Sequence, residues 1–332
     1  MLAAHRRPPM RAAVREKYCG PDDLEIKEID KPEVTDDGVL VRVRAASVNR
    51  ADWYGMTGTP YLARGMTGPF KPKDERFGTD FAGTVEAVGK DVTDFRPGDD
   101  VFGARTGAFA EYVNARDTVV PKPANVSFEE AAALPVAALT ALQGLRDKAQ
   151  LQPGQKVLVN GASGGVGTFA VQVAKALGAE VTAVCRTRNV DQARSIGADH
   201  VIDYTREDFT RSDQRYDVLF DVAGSRSWRE CKRVLNPEAV VIMAGAPKGN
   251  RITGPLSHIA AVRLASLRSS RKAVFFIAKF NRPDLKYLVE LLEAGTMKSV
   301  IERTYELGEL ADAMRYMGEG HAQGKIVITM SA

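Results

Sequence analysis

Apolar positions fall into two rhythms along this chain. From Arg11 to about Pro121 they come as short alternating stretches: Val39-Leu40-Val41-Arg42-Val43-Arg44-Ala45 after Asp37-Gly38, the glycine-bounded run Gly83–Gly89, and Phe109–Val113 after Gly107. Alternation with period two, punctuated by glycine, predicts half-buried strands, so this region reads as a small β-rich domain. From about Phe128 to Ala278 short continuous apolar runs alternate with segments of helical spacing. Val157–Val159, Val181–Val184, His200–Asp203, Tyr216–Asp221 and Ala239–Ala244 read as parallel strands covered on both faces, which predicts a doubly wound α/β sheet. A helix over Asp284–Leu292 follows. The terminal apolar strand Lys325–Thr329 is expected to rejoin the first domain, which makes that domain discontinuous. The expected division is a disordered leader over 1–10, a β-rich domain over 11–127 and 279–332, and an α/β domain over 128–278.

The segment Lys156–Lys175 joins a buried strand, a glycine-rich turn and an amphipathic helix with no spare residues. Gly161, Gly164 and Gly167 allow a tight turn, close backbone approach to a pyrophosphate and close helix–sheet packing. Val166, Phe169, Ala170, Val173, Ala174 and Leu177 define one buried face, and Gly178 stops the helix. The turn departs from G-x-G-x-x-G, because its first glycine falls one residue before Ala162. With strand, turn and helix all in place, Gly161, Ser163, Gly164, Gly165, Val166 and Gly167 read as the phosphate turn of a Rossmann dinucleotide site. The next strand ends at Cys185-Arg186-Thr187-Arg188-Asn189, where an NAD site places an acid on the ribose 2′-hydroxyl. No acid stands there. Arg186, Thr187 and Arg188 instead suit a 2′-phosphate, so NADPH is favoured over NADH, the alternative being that both arginines are simply solvated. Tyr204 is placed to stack near the adenine. Ala223-Gly224 and Ala244-Gly245-Ala246 follow predicted strands, at the ends where such sheets bind ligands.

Length and composition bound the rest. The chain has 332 residues, 44% hydrophobic and 27% charged, and a net charge of +4. These values suit two lobes with a sizeable core. No apolar run reaches the ~20 residues of a membrane span, so no membrane partner is expected. The mild charge comes with no basic stripe of interleaved aromatics, so no nucleic acid is expected either. The three cysteines, Cys19, Cys185 and Cys231, are too dispersed for a disulfide framework or a thiolate zinc cluster, which fits a reducing cytoplasm. The segment Met56–Asp80, with Tyr61, Phe70 and the charged run Lys71–Arg76, reads either as a loop bordering an active site or as a surface insertion.

With these residues in hand, the chain resembles the medium-chain dehydrogenase/reductase superfamily, in its zinc-independent quinone-oxidoreductase branch. The resemblance rests on Ala46-Ser47-Val48-Asn49-Arg50-Ala51-Asp52, Gly78-Thr79-Asp80-Phe81-Ala82-Gly83, Gly98–Gly103, Gly107–Tyr112, Pro135–Ala141, the Asn160–Gly167 turn and Gly197–Tyr204. It covers nearly everything after Met10, and is closest to the broadly defined NAD(P)-dependent alcohol dehydrogenases and the reticulon-interacting oxidoreductases. It implies a Rossmann sheet plus a discontinuous GroES-like catalytic domain. It also implies no zinc: Asn49 stands where zinc enzymes have cysteine, and Thr79-Asp80 where they have a His-Glu pair. Relatives often dimerise by joining sheet edges. The run Ala273–Ile277 is either such an edge or a central strand.

Without a metal, the easier acceptors are quinones and alkenes conjugated to a carbonyl, whose product anions are delocalised and respond to hydrogen-bond donors. The resemblance places Asn49, Asp52, Trp53 and Tyr54 near nicotinamide or substrate, with Asn49 donating from its amide, and Thr140 near the nicotinamide. Phe70 and Phe102 join them as pocket residues. Tyr61 is either a proton donor or an aromatic wall. Phe276, Ile277 and Lys325 match positions near the nicotinamide end. The function implied is an NADPH-dependent reductase of quinones or enones. Enoyl-thioester reduction, carbonyl or alcohol oxidoreduction, and NADPH binding without catalysis are the alternatives. If the two arginines hold a 2′-phosphate, replacing Arg186 and Arg188 together by Ala raises the NADPH dissociation constant by about tenfold or more and barely changes that for NADH. Equal losses in parallel titrations would remove the assignment.

Overall fold

The computed structural model describes residues 8–330. Of the expected leader, 1–7 lies outside the described residues. Pro9 and Met10, also assigned to that leader, instead open the first strand, Pro9–Val14, which pairs antiparallel with Glu25–Asp30 and buries Met10.

Six strands make the parallel sheet of the α/β region. In spatial order they are His200–Asp203, Glu180–Cys185, Lys156–Asn160, Tyr216–Asp221, Leu235–Met243 and Lys272–Phe275. Chain order therefore runs outward in both directions from Lys156–Asn160, the doubly wound arrangement in which ligands bind beyond the carboxyl ends, where the order reverses. Every pairing is parallel. The apolar runs are buried on both faces, with Val157, Leu158 and Val159 all at 0% exposure. Among the described residues Lys272–Phe275 is an edge strand, paired only with Leu235–Met243, which decides between the two expectations for that run.

The second sheet has seven strands, with Ile301–Glu306, Lys325–Thr329, Val39–Val48, Asp80–Val88, Asp100–Ala104 and Val119–Pro121 in order and Tyr112–Ala115 paired to Val39–Val48. The strand from the far end of the chain thus lies inside the sheet, not at its rim. Its register matters most. Ser47 faces Val327 on one side and Asp80 on the other, and Ile326 faces Val48. One residue beyond that pair, Asn49 and Lys325 leave adjacent strands side by side, next to Asp80. The helix Arg50–Thr57 starts at once after Asn49, which is its N-cap.

A single apolar core runs from this sheet into the α/β region. Phe102, Val120 and Ala82 share a core with Leu139 and Leu142 of the helix Pro135–Leu142, with Leu134 at its N-cap, and with Phe169 of the helix Gly165–Ala176. Phe102 is 0% exposed in that core, so it is not a pocket wall as expected: its strand turns it inward, against the α/β region. Phe70 departs the other way. It is 91% exposed and forms no wall.

Candidate active site

The Lys325 ammonium is buried among polar partners. Its Nζ donates to Asn49 Oδ1 at 2.6 Å and lies 3.4 Å from Asp80 Oδ2. Asn49 Nδ2 donates to the same Asp80 oxygen at 2.9 Å, and Ser47 Oγ does so at 2.9 Å. Asp80 Oδ1 accepts from the Val136 backbone N–H at 3.0 Å. Four donors converge on one carboxylate, which suits its ionised form, an acceptor at every lone pair. They also fix Asn49: its oxygen must face the ammonium and its nitrogen the carboxylate. The second hydrogen of Nδ2 points toward Ser47 O at 3.5 Å. Asn49 is therefore an orienting bridge. It is not the free amide donor expected from sequence, because its donors are already committed.

Asp52 completes the cluster. Its Oδ2 accepts from Asn49 N at 2.8 Å and its Oδ1 from Thr79 Oγ1 at 3.0 Å. Burial, then the like charge of Asp80, pushes its carboxyl up to about 6. Burial also raises Asp80, with Lys325 the main opposing influence, and lowers Lys325, with Asp80 opposing. Asp52 thus faces this core and does not line the substrate pocket.

The cluster touches the glycine turn. A Cβ added to Gly165 would lie 2.9 Å from Lys325 Cδ, so the lysine stem runs against the first residue of the helix. The other glycines have distinct reasons. Gly161 has φ +86°, and a Cβ on Gly167 would meet Gly161 O at 2.1 Å. At Gly164 a Cβ would meet only Gly161 O at 3.7 Å. Packing does not require glycine there, and the open space faces the uncapped N-terminus of Gly165–Ala176, as an approaching phosphate would need. Asn160, Asp221 and Gly224 brace the turn: Asp221 Oδ1 accepts from Asn160 Nδ2 and from Gly224 N, both at 2.8 Å. Ala223 lies against Gly161, and Ala244 and Gly245 donate to Asp221 O, so these residues meet at the switch point. Ala246 lies against Gly224.

Arg186 and Arg188 are exposed beyond Glu180–Cys185, and Tyr204, 47% exposed, donates its N–H to Cys185 O. Thr187 departs from expectation. Its hydroxyl donates to Asp203 Oδ2 at 2.5 Å and is no free ligand. Asp203, the acid that sequence reading missed here, comes from the neighbouring strand and is tied up by Thr187, Thr205 and Arg206. Thr140 donates back to Val136 O at 2.7 Å. Phe276 packs on Gly144, whereas Ile277 is 68% exposed. Arg50 was not singled out by sequence. Its Nη1 is buried without a hydrogen-bond partner, beside Gly320.

The other face of Arg50–Thr57 opens on a cavity of about 460 Å³, lined by Trp53, Tyr54, Thr57 and Tyr61 on one side and Lys248–Arg251 on the other. Asn49 is not in its wall; along the helix axis it precedes Tyr54 by about 7.5 Å. Tyr61 N donates to Arg251 O at 2.9 Å, which holds the two walls together. Burial raises the Tyr54 hydroxyl, so it stays protonated as a donor. The run Lys71–Arg76 is elsewhere: Lys73–Arg76 border a separate hollow with Val14 and Ile29, and Arg76 pairs with Asp74.

Among the described residues no three His, Cys, Asp or Glu side chains converge to hold a metal. Asn49, Thr79 and Asp80 do not fit a zinc ion, because the Lys325 ammonium already sits among them.

Comparison with known proteins finds relatives over nearly the whole chain. Residues 35–124 match the alcohol dehydrogenase GroES-like domain family, and residues 196–328 the family described as zinc-binding dehydrogenase. The chain is 34% identical to a chloroplastic quinone oxidoreductase from Triphysaria versicolor, over 96% of this chain and 98% of that protein. It is 32% identical to a chloroplastic NADPH-dependent alkenal/one oxidoreductase from Arabidopsis thaliana, over 96% and 79%. The solved quinone oxidoreductase from Coxiella burnetii superposes with a TM-score of 0.84 at 29% identity, covering 98% of this chain and 100% of that one.

Asp52 gives the cluster a pH signature. Its folded value of about 6 lies above its ordinary 3.8, so the native state holds a proton that the unfolded chain releases. The stability this adds is complete below the lower value and is lost as pH rises through the upper one. Asp52→Asn lacks that titration. Its stability relative to the parent should rise by about 1 kcal/mol between about pH 5 and pH 7.5 in urea denaturation. A pH-independent difference would show that Asp52 does not titrate in this window.

Proposed function

Since the chain belongs to the medium-chain dehydrogenase/reductase superfamily, in its quinone-oxidoreductase-like branch, and is an NAD(P)H-dependent oxidoreductase, we propose that it uses NADPH, works without zinc and reduces quinones or activated alkenes. The observation that carries this reading is the Lys325 ammonium, locked by Asn49 and Asp80 against Gly165. A fixed internal cation takes the place a metal would need and repels a second one.

Gly161, Ser163, Gly164, Gly165, Val166 and Gly167 hold the pyrophosphate at a helix N-terminus. Arg186 and Arg188 take the 2′-phosphate, with Asp203 silenced by its own donors. A nicotinamide bound there supplies the hydride. The chain's own part is orientation, exclusion of water and electrostatics. Negative charge develops on the acceptor oxygen after hydride addition. Tyr54, in the cavity wall, is the donor best placed to stabilise it, and Lys325, buried outside that wall, adds its charge from behind. Trp53 and Tyr61 form the aromatic walls of the acceptor cavity. The single-charge stabilisation that Lys325 offers is weaker than a Lewis acid, which favours acceptors whose product anion is already delocalised.

The protein reads further as a homodimer. Lys272–Phe275 leaves one edge of the parallel sheet unpaired, and Leu264 and Leu267 beside it are 71% and 73% exposed. Pairing that edge with a second copy covers both features. As for its surroundings, among the described residues no helix is long and apolar enough to cross a membrane.

The test is NADPH oxidation by chelator-treated protein, with a quinone, an enone, an enoyl thioester and an aldehyde as acceptors and NADH in parallel. The expected result is turnover of the quinone or enone with NADPH, unchanged by chelator. Aldehyde turnover that chelator abolishes and zinc restores would overturn the reading. Tight NADPH binding with no acceptor reduced would favour a binding protein.

A further inference from the structure

The cavity beside Tyr54 has a charge that quinone or enone reduction does not explain. Arg64, Lys248 and Arg251 all contribute to its lining, against one acid, Asp23, among the described residues there. None of the three cations has an ion pair among the described residues. Unpaired like charges around a partly enclosed space repel one another, an arrangement that an anionic ligand relieves.

Arg64 is built in a way that surface cations are not. Its guanidinium lies 4.5 Å from the Tyr18 ring and 4.5 Å from the Tyr61 ring. Its Nε donates to Gly58 O at 2.8 Å. Tyr18 is fixed in turn, its hydroxyl donating to Gly68 O at 2.6 Å. Stacking and one hydrogen bond therefore hold the planar group, while both terminal nitrogens have no hydrogen-bond partner among the described residues. That is a pre-organised fork for a planar anion. Arg251 comes from the opposite wall, held there by the backbone bonds from Tyr61 N and Leu62 N to Arg251 O and Ile252 O at 2.9 and 3.2 Å. Cations separated by almost the whole α/β region thus line one cavity, together with the aromatics Trp53, Tyr54 and Tyr61.

We propose that this cavity selects acceptors carrying a carboxylate, which Arg64 and Arg251 grip while the aromatic walls hold the ring or alkene. Lys248 adds charge at the rim. The inference rests on the reductase reading for its acceptor class, but the anion subsite itself does not depend on turnover.

The experiment separates the two. NADP⁺-loaded protein is titrated in a calorimeter at low salt with 3-benzoylpropionic acid and with its methyl ester, neither of which contains the reducible alkene. The acid should bind about tenfold or more tightly than the ester, as one charge-assisted contact implies. Arg64→Gln and Arg251→Gln should each move the acid-to-ester ratio toward unity. Arg251 is on an exposed loop, so its variant reports on the subsite even if the Arg64 variant folds poorly. Equal binding of acid and ester by the parent protein, or a preference that survives both substitutions, overturns the proposal. In parallel, 3-benzoylacrylate and its methyl ester are offered as acceptors with NADPH. Binding preference without turnover of either keeps the anion subsite and removes the reductase reading. Turnover of both with equal KM, and no binding preference, does the reverse.

Discussion

A lysine ammonium at 3% exposure, bonded to an asparagine oxygen and facing a fully buried aspartate, is the constraint on which the rest of this molecule depends. Withdrawing such ions from water costs several kcal/mol each, and only close geometry with every lone pair engaged offsets it. Here Ser47, Asn49, Lys325 and the Val136 N–H supply that geometry to Asp80. The five groups come from three adjacent strands of one sheet, the helix N-cap that follows one of them, and a helix of the α/β region. Satisfying the charge therefore fixes the strand register and ties the two sheets' regions together at one point.

The chemistry follows from where that point lies. The stem of Lys325 presses on Gly165, so the proposed dinucleotide turn and the buried charge share one support. On the proposed zinc-free reading, a cation built into the protein offers electrostatic stabilisation without a metal's polarising power, which suits acceptors that delocalise charge themselves. The like charge of Asp52 beside Asp80 is tolerated because burial keeps its proton affinity high.

Much of the architecture was legible in the chain because it is written in local periodicity. Continuous apolar runs at 157–159 and 181–184, and the glycines between them, dictate strand, turn and helix whatever surrounds them. Lys325–Thr329 could be read as a strand rejoining the first domain for the same reason. What stayed hidden depended on register across long separations. Nothing near Lys325 says that it meets Asn49 and Asp80. Nothing near Thr187 says that its hydroxyl will be taken by Asp203 on the next strand. Phe102 and Phe70 show the converse: an aromatic in a motif looks the same whether the fold buries it in the core or leaves it in solvent. Arg64 carries no sequence signal, because its meaning comes from two tyrosines stacked on it and an arginine from another lobe.

The most direct test of this account is a double-mutant cycle on folding stability with Lys325→Met, Asp80→Asn and the pair. Each single change leaves a buried charge without its partner and should cost about 3–5 kcal/mol, whereas the double variant should lose much less than the sum. A coupling of about 2 kcal/mol or more is predicted. Additivity within about 0.5 kcal/mol would contradict the claim that this ion cluster organises the site.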